Sequence, residues 1–121
     1  MRWVPPLLWA GLLFVTSSIP GRALPSPGIP YLDKAVHAAA YLVLAWLLAR
    51  ALRARNGRAL AVAALVAALY GVSDEVHQRW TPGRDADVWD AVADAVGSVA
   101  GVWLRSRLGW RGQSVQTRAK P

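Results

Sequence analysis

The chain of 121 residues contains no cysteine, which excludes a disulfide framework and any thiolate metal site. It is also poor in charge, with 17% Asp, Glu, Lys and Arg against about 25% in ordinary soluble domains. Acidic residues are scarcest of all. There are seven, none of them before Asp33 or after Asp94. A soluble surface intersperses both signs of charge, so this segregation argues against a soluble domain and for a molecule with two unlike ends. The length allows one domain and no more.

What is present instead is apolar. Hydrophobic residues make up 55% of the chain, and there are seven tryptophans, a residue that collects at bilayer interfaces. The net charge of +7 suits an anionic lipid surface. Seven tryptophans fit a nucleic-acid groove poorly, so lipid is the expected partner and nucleic acid is not. Trp3 to Gly21 carries no charge over nineteen residues, enough to cross about 30 Å of hydrocarbon as a helix. Ala35–Ala49 and Ala59–Ser73 are uncharged runs of fifteen, and they reach adequate length by extension through Asp33–Lys34 and Asp74–Glu75. A fourth apolar segment, Val88–Leu104, contains Asp90 and Asp94. The first run also has the look of a signal-peptide core. Arg22 sits awkwardly before a cleavage position after Ala23, however, and an uncleaved span is expected.

The breaks are turn chemistry. Pro20, Pro25, Pro27 and Pro30 preclude a continuous helix there. Asn56–Gly57 signals a tight turn. Pro82–Gly83 fits a type II turn with glycine at the position of positive φ. Asp87 stands at a helix N-cap, with Asp90 three residues on as its capping-box partner. The expected fold is therefore all-α, an integral membrane bundle of four transmembrane helices over about 4–19, 32–52, 58–78 and 88–106. It occupies residues 1–108, and 109–121 form a disordered cytoplasmic tail.

Sidedness follows from Lys and Arg. With four spans, ten basic residues (Arg2, Arg50, Arg53, Arg55, Arg58, Arg105, Arg107, Arg111, Arg118 and Lys120) share one side, against four (Arg22, Lys34, Arg79 and Arg84) on the other. The positive-inside rule then puts both termini in the cytoplasm and every carboxylate outside. Asp33, His37 and Tyr41 recur at i, i+4, i+8, as do Tyr70, Asp74 and Gln78, with Ser73 and His77 beside them. Asp90, Asp94, Gly97 and Gly101 mark one face of the last helix, and Gly97-x-x-x-Gly101 permits close helix packing in lipid. A charge at the bilayer centre costs about 2.5–3.5 kcal/mol even on lenient scales. The stripes should accordingly converge inside the bundle, giving a candidate polar cluster of Asp33, Lys34, His37, Tyr41, Asp74, Glu75, Gln78, Arg84, Asp90 and Asp94. Asp85 and Asp87 are assigned to loop and cap.

Asp33-Lys34-x-x-His37-x-x-x-Tyr41, then Asp74-Glu75-x-x-Gln78, Pro82-Gly83-Arg84, Asp90 and Gly97 resemble VanZ-like membrane proteins over roughly residues 7–105. Ser17-Ser18-x-Pro20 is similar to the end of that family's first helix. The resemblance implies an envelope setting, with a namesake linked to low-level resistance to the glycopeptide teicoplanin, and it implies no reaction. One position departs: where the family commonly has Asn, this chain has Asp94. Two ionised carboxylates at i, i+4 repel, so either a cation such as Arg84 lies between Asp90 and Asp94 or one carboxyl is protonated. Asp94→Asn is expected to be tolerated and Asp90→Asn to be damaging.

Three functions stay open. Binding or shielding of a lipid-linked precursor or a lipoglycopeptide at the outer face fits Lys34, Arg84 and the acids ringed by Trp80 and Trp89. Acid–base chemistry has ingredients in His37, Asp74, Glu75, Asp90 and Asp94, but no catalytic motif of a known class is present. A metal on Asp33, His37, Asp74 and Asp90 is conceivable, yet no spacing matches a strong metal motif, so neither metal nor cofactor is assigned. A scaffold role would use the Gly97/Gly101 face, and self-association is a further expectation.

Overall fold

The computed structural model describes residues 1–20, 28 and 31–117, with side chains described up to residue 108. It is all-α, with four helices among the described residues: α1 Val4–Ser17, α2 Leu32–Ala51, α3 Gly57–Gln78 and α4 Val88–Thr117. Pro5 and Pro6 open α1, in the first turn, where a missing N–H costs nothing. α2 and α3 follow with 20 and 22 residues, about 30 Å of helix each.

Two boundaries differ from expectation. Asn56–Gly57 makes no tight turn; the Asn56 side chain accepts the Ala59 N–H at 2.9 Å and caps α3, of which Gly57 is the first residue. The chain reverses earlier instead, through Arg53 at φ 53°. α4 does not end near residue 106 but runs to Thr117, because no proline interrupts Leu104–Thr117 and its glycines weaken a helix without breaking it. Of the expected tail, residues 118–121 lie outside the described residues. The Pro82–Gly83 turn forms as expected, with Gly83 at φ 71° and the Arg84 N–H donating to the Thr81 carbonyl at 3.2 Å.

Burial is inverted relative to a water-soluble bundle. Leu7, Leu8, Leu65, Leu69, Val96 and Val99 are all more than half exposed, whereas Asp74, Glu75, Gln78, Asp90, Asp94 and Ser98 are buried. Large apolar patches on the outside and carboxylates on the inside suit hydrocarbon as solvent. Two helices, Leu32–Ala51 and Gly57–Gln78, are long and apolar enough to cross a membrane. α1, at 14 residues, is shorter than a crossing, and α4 carries Asp90, Asp94, Arg105 and Arg107.

The inner packing is made mostly of alanine (Ala45, Ala49, Ala63 and Ala67, with Tyr41, Leu44 and Val102), which lets backbones approach. α4 lies hardest against α2. A Cβ on Gly97 would fall on the Ala38 carbonyl, and one on Gly101 on the Leu42 carbonyl. That face is therefore consumed inside the molecule, which removes it as the scaffold's docking surface. α1 is attached more lightly, by Trp9 Nε1 donating to the Ala40 carbonyl at 2.9 Å and Tyr70 Oη to the Ala10 carbonyl at 2.6 Å.

Candidate functional site

The end of α1, the start of α2, the end of α3 and the start of α4 meet at one end of the bundle, and all seven carboxylates belong to this end. Asp33 and Lys34 lie in the first turn of α2, with His37 and Tyr41 one and two turns deeper. Asp74 and Glu75 are in the last two turns of α3. Asp90 and Asp94 occupy the first two turns of α4.

Lys34 organises the mouth. Its ammonium donates to Asp33 at 2.8 Å, Asp87 at 2.7 Å and Asp90 at 2.6 Å, which uses all three of its N–H groups. Only Asp90 among these partners is buried, at 9% side-chain exposure. The Lys34 ammonium, and then the Trp89 N–H, hold the Asp87 carboxyl below its ordinary value of 3.8. The depressed value means that this contact stabilises the fold above the ordinary carboxylate range and is lost only as pH falls through the lowered value. Thermal stability should thus be flat on this account from pH 8 to pH 5 and decline on stronger acidification, as a melting series would read.

One turn deeper, His37 Nδ1 lies 2.8 Å from Asp94 Oδ1 and 4.0 Å from Glu75 Oε1, and His37 Nε2 lies 3.8 Å from Asp90 Oδ2. Asp94 is fully buried and packs against Gly71 of α3. Ser98 Oγ donates back to the Asp94 carbonyl at 2.7 Å. Deeper still, Tyr41 Oη donates to Asp74 Oδ2 at 3.2 Å. Gln78 is buried nearby on α3.

Two assignments made from the sequence change. Arg84 does not sit between Asp90 and Asp94. Its guanidinium donates to the Thr16 and Ile19 carbonyls at 3.4 and 3.3 Å, and Thr81 Oγ1 reaches the Ser17 carbonyl at 3.3 Å, so the loop before α4 satisfies the open carbonyls ending α1. The groups that answer the Asp90/Asp94 pair are the Lys34 ammonium and the His37 imidazole. Likewise Asp90 does not complete a capping box. Asp87 caps α4 through Oδ1, which accepts the Trp89 N–H at 2.9 Å, but the Asp87 N–H donates to Glu75 Oε2 at 3.1 Å. The reciprocal bond comes from α3, which frees Asp90 for Lys34. Arg84→Ala should loosen α1 by about 1 kcal/mol, seen as earlier proteolysis near residue 18 with the rest of the bundle intact.

Asp87 is a member of the centre that the sequence reading confined to a cap; its spacing from Asp90 carried a capping signal that masked the contact with Lys34. His77 faces α1, stacked on Phe14 at 4.7 Å with Nε2 2.9 Å from Ser18 Oγ. It stands apart from the centre, as does exposed Asp85.

The geometry gives the paired Asn substitutions a physical basis and keeps their expected order. In Asp94→Asn the amide presents both an acceptor and a donor to His37 Nδ1, so either tautomer of the imidazole keeps a partner, and one of the carboxylate oxygens it replaces has no partner. Its stability should fall by about 1 kcal/mol or less. Asp90→Asn removes the buried anion facing Lys34 and should lose about 2 kcal/mol, a difference that paired melting curves in detergent would read.

Beside this centre, Tyr31, Asp33, Lys34, Asp87, Trp89, Val92 and Ala93 line an open groove of about 630 Å³. Tyr31 is held at φ 60° immediately before α2, a left-handed conformation uncommon for a bulky residue. For a metal, the atoms that gather are those of His37, Glu75 and Asp94, all within 4.8 Å of one another. The set considered from the sequence does not form, since Asp74 is turned to Tyr41, and Asp33 and Asp90 to Lys34.

A family model described as VanZ/LLP1 matches residues 3–109. Neither a curated protein nor a solved structure was matched.

Proposed function

The chain belongs to the VanZ/LLP1 family, and from that membership we propose that it is a multi-pass envelope protein that binds or shields the head of an amphiphile at its outer face. The observation that carries this reading is the groove between the starts of α2 and α4. Tyr31, Trp89, Val92 and Ala93 give it apolar walls, and Asp33, Lys34 and Asp87 give it a polar edge. Apolar walls with a few convergent polar groups are what a small amphiphile requires.

The charge at the edge favours one kind of head. Lys34 is engaged by three carboxylates, so the mouth is acidic and suits a head rich in N–H and O–H donors, such as a lipoglycopeptide, over a bare anion. A lipid-linked wall precursor is the competing ligand, and a role in glycopeptide resistance would follow from shielding either one.

The proposed topology has four membrane segments, both termini cytoplasmic and the acidic end outward. Trp80 and Trp89 support it, being strongly exposed at the acidic end as interface anchors are. At the other end Arg105 stands over Trp46 at 5.9 Å and Arg107 over Trp103 at 5.5 Å.

Acid–base catalysis at the same centre is the second reading, favoured by the 2.8 Å pairing of His37 with Asp94, an arrangement that orients an imidazole. Titration of teicoplanin, and separately of a lipid-linked precursor, into nanodisc-held protein separates the two. Binding predicts saturation that weakens about tenfold in Trp89→Ala with no chemical change in the ligand. Equal affinity in Trp89→Ala would overturn the groove as the site, and product formation lost in His37→Asn would establish catalysis instead.

A further inference from the structure

We propose that His37, Glu75 and Asp94 form a divalent-cation site for a first-row transition ion such as Zn²⁺ or Mn²⁺. The three side chains come from α2, α3 and α4, and their ligand atoms lie within 4.8 Å of one another. The separations from His37 Nδ1 are 2.8 Å to Asp94 Oδ1 and 4.0 Å to Glu75 Oε1. Ligands on a tetrahedral ion at about 2.0–2.1 Å stand roughly 3.3 Å apart, so small side-chain adjustments close the set around an ion.

A second observation points at a ligand independently of that clustering. Glu75 is buried, with 9% side-chain exposure, yet its Oε1 has no hydrogen-bond partner. Its other oxygen is pinned by the Asp87 N–H at 3.1 Å, which fixes the carboxyl with Oε1 toward the imidazole. Asp94, fully buried, also leaves one oxygen without a partner. An unpaired buried carboxylate oxygen is costly, and two buried carboxyls that each leave one oxygen unpaired around one imidazole call for a cation. Lys34 does not supply it, because its three donors serve Asp33, Asp87 and Asp90. A single proton shared by His37 and Asp94 leaves Glu75 unanswered.

An ion of charge +2 balances two carboxylates and a neutral imidazole, and it does so in the low-dielectric interior where the imbalance is most expensive. Imidazole with carboxylates suits zinc, iron or manganese better than calcium or magnesium, which prefer oxygen alone. With Nδ1 as ligand, the Nε2–H of His37 faces Asp90 Oδ2, now at 3.8 Å, the outer carboxylate that orients many metal-bound histidines. Three protein ligands would leave a fourth coordination position for water or a ligand.

Protein in neutral-lipid nanodiscs, stripped with a chelator and then dialysed against Zn²⁺ or Mn²⁺, tests this by metal content per chain. One saturable equivalent is expected, with a rise in melting temperature because the ion ties three helices together. Co²⁺ should give visible absorption bands of low-coordinate nitrogen and oxygen ligation. Glu75→Gln and Asp94→Asn should each weaken binding at least tenfold, and Asp33→Asn at the rim less than twofold. Absence of a saturable equivalent in the wild-type chain overturns the site, as does equal weakening by Asp33→Asn, which would mark adventitious binding to surface acids. If a ligand variant does not fold, the wild-type stoichiometry and the Co²⁺ spectrum decide. None of these readouts depends on amphiphile binding, so the two proposals fail separately.

Discussion

Gly97→Leu should abolish the folded bundle. Any Cβ at this position lands on the Ala38 carbonyl and within 2.8 Å of its Cα. These are backbone atoms, so no rotamer change relieves the overlap, and α2 and α4 must move apart. Separation also opens the Gly101–Leu42 approach one turn on, and it pulls Asp94 away from His37, which is adjacent to Ala38. Small residues permit the backbone approach that substitutes in lipid for a hydrophobic driving force. The loss should exceed about 4 kcal/mol, read as collapse of folded yield and a missing melting transition in detergent. Gly11→Leu is the matched control, because nothing lies within 4 Å of a Cβ there, and it should behave as wild type. A Gly97→Leu protein as stable as Gly11→Leu would show that α2 and α4 do not meet at this seam.

The second large effect is Lys34→Met. Methionine keeps the apolar stem and deletes the ammonium, leaving Asp33, Asp87 and Asp90 facing one another around an uncompensated space. Asp33 and Asp87 can turn to water, being 62% and 39% exposed, but Asp90 at 9% cannot. A buried charge that loses its partner costs about 3–5 kcal/mol, and the partly open mouth places this case near the lower figure. The double substitution Lys34→Met/Asp90→Asn should recover much of the loss, since it removes the stranded anion as well. A thermodynamic cycle in detergent measures the coupling. Additive losses would mean that Lys34 and Asp90 do not act as a pair.

The parts of the structure readable from the residues were those set by periodicity. The uncharged runs gave four helices, and spacings of four lined up Asp33 with His37, Asp74 with Gln78 and Asp90 with Asp94 at one end of three of them. Gly97 and Gly101 were identified as packing residues, and Gly83 as the pivot of its turn. Pairing between helices was a different matter. Spacing along one helix says which face a side chain occupies, but not how far along the axis a neighbouring helix is shifted. That shift decides that Lys34 meets Asp90 and that His37 meets Asp94, and it carries Arg84 away to the carbonyls ending α1. Glu75 capping the start of α4 is likewise a contact between elements. A local motif, Asp87 with Asp90, imitated it.

Asp94 shows how one departure changes a centre. An Asn at that position could answer His37 through its oxygen and bring no second charge. The carboxylate brings a second carboxyl beside Glu75 and His37, which is the donor set on which the proposed cation site rests. Asp94→Asn therefore separates the two roles of the residue, because it should keep the fold while losing the ion.

The most direct test of an outward-facing polar centre uses the absence of native cysteine. Asp85→Cys places a thiol on an exposed residue of the loop before α4, and Arg55→Cys places one between α2 and α3 at the opposite, basic end. In intact cells a membrane-impermeant maleimide should label Asp85→Cys fully and leave Arg55→Cys unlabelled until the membrane is opened. Labelling of Arg55→Cys from outside, with Asp85→Cys protected, would put the carboxylates in the cytoplasm and contradict an outer site.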